Sequence, residues 1–349
     1  TGAAIRAFGI LKESPGKGQS VEVEVSEIEV FGEADPDNYP LQKKGHSLEF
    51  LRETGHLRAR TNTFGAVFRV RNILSEAVHE FFQGQGFLWV HTPVITASDC
   101  EGAGELFTVT CLNLENLPKK DNGAIDFSQD FFGKRTFLTV SGQLEAEFLS
   151  MSLGNVYTFG PTFRAEDSNT SRHLSEFWMI EPEIAFADLK DDMDLAEDFF
   201  HALCLKVLEK GEKELAFLEK QYKTISVKEL EHLTKKPFAH ITYTEAVREL
   251  EMAQEKFEFP VRWGLDLQSE HERYLTDKVF KGPVIVTDYP KEIKAFYMRL
   301  NPDEKTVAAM DVLVPKIGEI IGGSQREERL EILKERMHQM GVPIENLDW

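Results

Sequence analysis

Phe163-Arg164-Ala165-Glu166-Asp167-Ser168-Asn169-Thr170-Ser171-Arg172-His173, continued by Leu174-Ser175-Glu176-Phe177-Trp178-Met179-Ile180-Glu181-Pro182-Glu183, is the stretch on which the fold turns. Strand-forming residues flank a polar, charged loop, which is the pattern of a β-hairpin. Such a hairpin presents Arg164 and Glu166 beside Phe177. An arginine offers a planar fork for a phosphate, Arg172 and His173 in the loop can follow distal phosphates, and an aromatic face can stack on a base. The set suits a nucleotide. A charged, solvated hairpin with a surface ion pair is the plainer reading of the same residues.

Outward from this hairpin the period changes. Phe64, Val67, Phe68, Val70, Ile73, Leu74, Ala77, Val78, Phe81 and Phe82 follow helical spacing and predict a long helix with a broad apolar face. Gly84 and Gly86 end it, 87–90 reads as a strand, and Pro93 closes that strand. Further strand-like runs lie at 137–140, 156–159, 177–180, 284–287, 295–300 and 306–314. Residues 192–222 predict one amphipathic helix with Leu195, Phe199, Leu203 and Val207 on a face, and 325–340 predict a closing helix. Helices and antiparallel-looking strands mix without regular βαβ alternation, so the expected class is α+β. At the start of the chain, 5–10 and 21–30 are β-prone and Ser14-Pro15-Gly16-Lys17-Gly18 supplies a turn. Two strands alone are marginally stable, so this hairpin is expected to be the remnant of a larger β module whose other strands precede Thr1.

The chain has 349 residues, with 40 Lys and Arg against 59 Asp and Glu, a formal charge of −19. That balance disfavours sequence-blind nucleic-acid binding but leaves room for a local RNA-gripping patch. At 42% hydrophobic residues the composition is that of a globular protein. No run approaches a membrane span and no signal peptide opens the chain. Cys100, Cys111 and Cys204 stand too far apart for a zinc knuckle, and the histidines show no ligand spacing. A reducing compartment fits best.

Two further clusters could carry chemistry. Asp311 and Glu319 precede Gly322-Gly323-Ser324-Gln325-Arg326. Two carboxylates close in space could share Mg²⁺ with phosphate oxygens, and the following helix could offer its N-terminus to an anion. An ordinary turn and capped helix would look the same. The other cluster is the acidic loop Ser98-Asp99-Cys100-Glu101-Gly102-Ala103-Gly104-Glu105 together with Ser141-Gly142-Gln143-Leu144-Glu145. An acid or amide there could receive a substrate ammonium, or the loop could simply be mobile surface.

Taken together, these residues resemble the class II aminoacyl-tRNA synthetases of the aspartyl, asparaginyl and lysyl subgroup. Phe163 through Arg172-His173 to Phe177 looks like motif 2, and the long helix, its strand and Pro93 look like motif 1, a dimer element. The surrounding wording is similar to that of asparaginyl-tRNA synthetases. It includes the loop 98–107, Thr139-Val140-Ser141-Gly142-Gln143-Leu144-Glu145-Ala146-Glu147, Glu176 to Glu183, Asp266-Leu267-Gln268-Ser269-Glu270-His271-Glu272-Arg273-Tyr274, and 318–329. The likeness implies an antiparallel catalytic sheet flanked by helices over 46–349. It also implies an OB-fold anticodon-binding barrel, of which 1–31 is the last part, joined by a linker at 32–45.

The resemblance further implies a cytoplasmic homodimer, formed through the region from Phe64 to Pro93, that uses ATP to activate asparagine as the adenylate and passes it to tRNA(Asn). The substrate carboxylate attacks the α-phosphorus in line, so the protein's part is positioning and charge stabilisation. By this likeness Arg164 holds the α-phosphate and the substrate carboxylate, Glu166 reads the adenine amino group, and Phe177 stacks on adenine. Arg172 and His173 reach the distal phosphates, Asp311 and Glu319 coordinate Mg²⁺, and Glu101 and Gln143 are candidates for the substrate ammonium. A carboxamide has one acceptor and one NH₂ donor, whereas aspartate offers only acceptors, and Arg326 and Glu181 are the candidates to pair with them. Ala146 stands where aspartyl enzymes carry a lysine, which favours the neutral amide.

The pattern breaks at Asp348-Trp349, where motif 3 and its adenine-covering arginine are absent, as is the start of the barrel. Three explanations stand: a fragment of an ordinary synthetase, a truncated paralogue that binds RNA or acts as a scaffold, or a synthetase-like enzyme forming asparagine from aspartate. Ala146 speaks against the third, and the intact nucleotide-facing chemistry speaks for an enzyme. With half the adenine sandwich missing, this stretch alone is expected to be inactive.

Overall fold

The long helix forms over Asn62–Gly84 in the computed structural model, which describes residues 1–16, 19–98, 106–166, 173–223, 226–342 and 347. The chain divides into two compact units, Thr1–Asn72 with Gly211–Ile225, and Ile73–Lys210 with Ser226–Trp349. In the first, Ala4–Glu13 and Val21–Gly32 pair as an antiparallel two-stranded sheet, with nearly every residue exposed on both faces. The amphipathic stretch 192–222 is two helices, Leu189–Lys210 and Glu212–Tyr222, and not the single one its periodicity predicts. Gly211 departs from helical geometry between them (φ −107°, ψ 18°). Its lack of a side chain makes it the weakest helix former in the run after proline.

Among the described residues the second unit holds three sheets. Gly318–Ser324, Thr306–Val314, Val284–Pro290 and Ala239–Thr242 lie side by side in that order, antiparallel except for the last, parallel pair. Leu88–Trp89, Val156–Phe163 and Glu176–Glu183 form a second sheet, and Ile95–Thr96, Thr136–Leu138 and Thr108–Val109 a small third one. The expected α+β class, with a largely antiparallel framework flanked by helices, is what folds. Among the described residues no helix is long and apolar enough to cross a membrane.

Strand alternation explains where the core sits. Val284 and Val286 pack into a cluster with Tyr243, Val247, Leu250, Leu275 and Leu313, while Ile285 joins Met310, Val312, Phe238 and Ala196 on the opposite face. Both faces are therefore covered, which accounts for the near-continuous apolar run of these strands. A third cluster joins Val78, Phe82, Phe87, Tyr157 and Phe199. There the Phe82 and Tyr157 rings stack 4.7 Å apart, and the buried Tyr157 hydroxyl meets His79 Nδ1 at 2.6 Å.

Three further expectations are corrected. Residues 295–300 are not a strand: Met298 bridges to Arg326 and Leu300 to Val307, and pairing with two different partners breaks any continuous ladder. The closing helix begins only at Leu330. Gly322, Gly323 and Ser324, read as leading directly into a helix N-terminus, belong to an edge strand, Gly318–Ser324. The glycine pair therefore lies against Asp311 and Met310 in the sheet, and not at a helix start.

Candidate active site

The motif-like hairpin closes in the register its sequence suggests, with Thr162 opposite Phe177 and Phe163 opposite Glu176. The Arg164 N–H donates to the Ser175 carbonyl at 3.1 Å, which fixes the backbone at the mouth of the loop. Its guanidinium carbon sits 5.6 Å from the Phe177 ring centroid, and Nη2 lies 4.0 Å from Met179 Sδ. Glu166 and His173 stand exposed at the two ends of the loop. Arg172 and Glu101 fall outside the described residues.

Glu181 faces Thr158 across the same sheet. Its carboxylate accepts from the Thr158 hydroxyl at 2.9 Å, from the Gly142 N–H at 3.1 and 3.2 Å, and from the Ser141 hydroxyl. Gly142 is the N-cap of the Gln143–Leu153 helix, so Glu181 binds the N–H of the N-cap residue itself and meets the positive end of the helix dipole. A Cβ on Gly142 would lie 2.6 Å from Thr92 Oγ1 and 3.3 Å from Glu181 Oε2, so only glycine fits there. Glu145, in the same turn, is raised above its ordinary pKa by burial and by the Glu181 charge.

One turn along that helix the second recognition candidate is locked in place. Gln143 Nε2 donates to Glu147 at 2.8 Å, and the same Glu147 oxygen accepts from Arg326 Nε at 2.6 Å. Arg326 Nη2 donates to Glu183 at 2.8 Å, Nη1 donates to the Ser324 carbonyl and hydroxyl, and the guanidinium carbon sits 5.1 Å from the Tyr297 ring centroid. Ala146 is fully buried between these residues in sequence and brings no charge. Acids outnumber the cation. Burial pushes Glu183 up to about 7, with Arg326 pulling it down and Glu147 and Asp192 pushing it up. Burial lifts Asp192 to about 6 against the pull of Arg326. Burial also works against the Arg326 cation, but Glu183 and Glu147 more than offset it and its pKa is raised.

Asp311 and Glu319 meet through a defect in the sheet. Asp311 pairs with Gly322, Leu313 pairs with Glu319, and the register slips between Val312 and Leu313. In an unbroken strand residues 319 and 322 would face opposite ways. The extra residue of the bulge turns Glu319 to the face that carries Asp311. An ideal Cβ on Gly322 would lie 3.2 Å from Glu319 Oε1 and 3.6 Å from Asp311 Oδ1, so the missing side chain leaves a cradle onto which both carboxylates converge. Desolvation and then the Asp311 charge raise Glu319 to about 7, and the positive charge of Arg164 reaches Glu319 as well, which ties the hairpin to this cradle. Two converging carboxylates fit a hard divalent ion that takes its remaining ligands from phosphate and water. Among the described residues no three His, Cys, Asp or Glu side chains converge on a metal position.

Sequence reasoning missed Lys294, Glu147, Glu183 and Asp192. Lys294 Nζ donates to both Asp311 oxygens at 2.9 and 2.8 Å and lies 4.1 Å from the Tyr289 ring centroid. Asp311 belongs to an otherwise apolar row with Val307, Ala309 and Leu313, and a buried acid in such a row needs a partner. That was the available signal. For Glu147 and Glu183 the signal was spacing: one helical turn after Gln143, and two strand residues after Glu181.

Comparison with known proteins shows the family. The family model described as tRNA synthetases class II (D, K and N) matches residues 47–348. An asparagine–tRNA ligase of Nostoc sp. is 62% identical over the whole chain, which spans 75% of that relative. That of Acetivibrio thermocellus is 59% identical, again over the whole chain and 75% of the relative. The solved asparaginyl-tRNA synthetase of Pyrococcus horikoshii complexed with asparaginyl-adenylate superposes with a TM-score of 0.83 at 32% identity, covering 99% of this chain and 73% of that one. With the family model matching residues 47–348 and a relative 62% identical over the whole chain, the chain belongs to the class II tRNA synthetases of the aspartate, lysine and asparagine group.

Proposed function

We propose that this chain ligates asparagine to tRNA(Asn), first forming asparaginyl adenylate and pyrophosphate from asparagine and ATP and then transferring the acyl group to the tRNA. The carrying observation is the unbroken likeness to asparagine–tRNA ligases along the chain. In this reading Arg164 stabilises charge on the α-phosphate and the attacking carboxylate, Phe177 and Glu166 take the adenine, and His173 and Arg172 take the distal phosphates. Asp311 and Glu319 would hold Mg²⁺, which when bound neutralises phosphate charge and eases departure of pyrophosphate. Gln143 and Glu101 would receive the substrate ammonium.

The hydrogen-bond inventory supports a carboxamide. Among the described residues four of the five Arg326 N–H groups have acceptors, so one Nη2 hydrogen remains for a ligand oxygen. Glu181 accepts from three donors, and a carboxylate offers about four acceptor sites. One donor and one acceptor left over are what an amide side chain requires. A carboxylate ligand would find the acceptor unusable, and Ala146 supplies no replacement cation.

The Ala4–Glu13 and Val21–Gly32 hairpin is read as the last part of an OB-fold anticodon-binding barrel over 1–31, with 32–45 as linker and 46–349 as catalytic domain. Half-exposed Leu88 and Trp89 belong to the region from Phe64 to Pro93, through which a homodimer would form, and the cytoplasm is the expected location. The test is asparagine-dependent ATP–pyrophosphate exchange by the gene product. Arg164→Ala should largely abolish it, and exchange driven by aspartate in preference to asparagine would overturn the specificity.

A further inference from the structure

Asp311 is committed twice. It is one of the two acids that converge over Gly322, and both of its oxygens are already taken by one ammonium, that of Lys294. The pair is largely shielded, with side-chain exposures of 18% and 10%. Tyr289 lies beneath the ammonium with its ring 4.1 Å away, and a buried aromatic face adds to the hold on a cation. Other charged groups complete the surroundings. Glu272 accepts from the Glu319 N–H at 3.1 Å, and the positive charge of Arg164 reaches Glu319. The chain thus provides its own monovalent cation at the carboxylate a divalent ion would need.

A divalent ion can use Asp311 only by taking an oxygen from Lys294 or sharing one with it. Two carboxylates by themselves give such an ion few ligands, since magnesium is ordinarily held by one or two carboxylates plus substrate phosphates. A nucleotide changes the balance in two ways. It brings phosphate oxygens for the ion, and it offers the lysine a new partner, because an ammonium is a compact point charge that binds phosphate well.

We propose that Lys294 is a built-in competitor for Asp311, so that the Asp311–Glu319 pair takes a divalent cation together with nucleotide phosphates and not before them. The inference rests on the reading of Asp311 and Glu319 as metal ligands. Lys294 acts through Asp311 and is a positioning residue, whatever its later contact with phosphate.

The test is Mn²⁺ binding, followed by the electron paramagnetic resonance signal of free Mn²⁺, to the whole chain with and without a non-hydrolysable ATP analogue. Wild type should bind Mn²⁺ weakly without the analogue, whereas Lys294→Met, and Lys294→Gln as a second neutral variant, should bind it at least tenfold more tightly. Asp311→Asn introduced into either variant should remove that gain. Tight, Asp311-dependent binding by wild type without nucleotide would overturn the proposal. So would neutral variants that bind no better than wild type while analogue-dependent uptake still requires Asp311. If analogue-dependent uptake is indifferent to Asp311→Asn and Glu319→Gln, the metal-ligand reading itself fails, a result distinct from failure of the competitor alone.

Discussion

The two charged ends of the site solve the same problem in opposite ways. At one end Arg326 is clamped by Glu147, Glu183 and Ser324 and backed by the Tyr297 ring, with more acid around it than its charge can balance. At the other, a single ammonium, that of Lys294, holds both Asp311 oxygens, with the Tyr289 hydroxyl as a further hydrogen-bond partner of the carboxylate. A guanidinium held at several points keeps a fixed orientation, whereas an ammonium on a flexible stem can leave. The first arrangement suits recognition of a side chain whose two polar atoms must be told apart. The second suits a place where one cation gives way to another. On the proposed reading, rigidity falls where specificity would be decided, and exchangeability where phosphate charge would arrive.

The contrast breaks most severely at Arg326. Arg326→Lys should keep the charge but lose the fork, stranding one of Glu147 and Glu183 without its partner. Breaking a buried pair costs roughly 3–5 kcal/mol. Because Arg326 is about a third exposed, the stability loss in urea unfolding is expected nearer to about 2 kcal/mol. Asparagine-dependent exchange should fall by roughly a thousandfold in kcat/KM, because the lost contact orients the reacting substrate. Retention of exchange within tenfold of wild type would show that Arg326 does not read the side chain.

A smaller effect is expected at Gly323, which pairs with Met310 in the sheet beside Gly322. A Cβ there would lie 2.5 Å from Asp192 Oδ2 and 2.6 Å from Met310 Cε. Gly323→Ala must therefore displace the partly buried Asp192 or the core Met310, at an expected cost of about 1–3 kcal/mol read by thermal or urea unfolding. An unchanged midpoint would mean that Asp192 has room to turn away.

These residues also mark how far sequence reading reached. The 163–183 hairpin was legible because both flanks are strand-prone and the loop between them is uniformly polar, and Arg164 and Phe177 fall on it in register. The long helix was legible from its ten apolar positions. The edge strand Gly318–Ser324 was not, because Gly322 and Gly323 weaken any β signal and the bulge defeats simple alternation. Gly211 was overlooked because the apolar stripe continues on both sides of it. Lys294 is four residues from a proline in an unremarkable loop, and nothing local shows that its ammonium reaches a strand seventeen residues on. Long-range pairs of this kind are decided by tertiary packing and leave no periodic trace.

A pH titration sharpens the comparison at the acid-rich end. In the unfolded chain Glu183 ionises near 4.5, and in the fold near 7. Between those values the folded state holds the extra proton, so the Glu183 contribution to stability is greatest below 4.5 and declines as pH rises toward 7. In Glu183→Gln that decline should flatten. From pH 5 to pH 8 the difference in unfolding free energy should move in favour of the variant by on the order of 1–2 kcal/mol. Parallel stability curves would mean that Glu183 is ionised throughout and fully balanced by Arg326.

The smallest expected change in stability comes from making the two ends alike. Lys294→Arg keeps the charge opposite Asp311 and replaces a point charge with a two-pronged donor that matches both carboxylate oxygens. The fold should hardly respond, with unfolding free energy within about 0.5 kcal/mol of wild type. Release should respond. If exchange of cations at Asp311 depends on the ease with which the resident one leaves, Mn²⁺ uptake in the presence of an ATP analogue should weaken several-fold. Equal uptake by wild type and Lys294→Arg would mean that holding strength at Asp311 does not limit metal entry, and that the difference between the clamped arginine and the lysine ammonium reflects packing space alone.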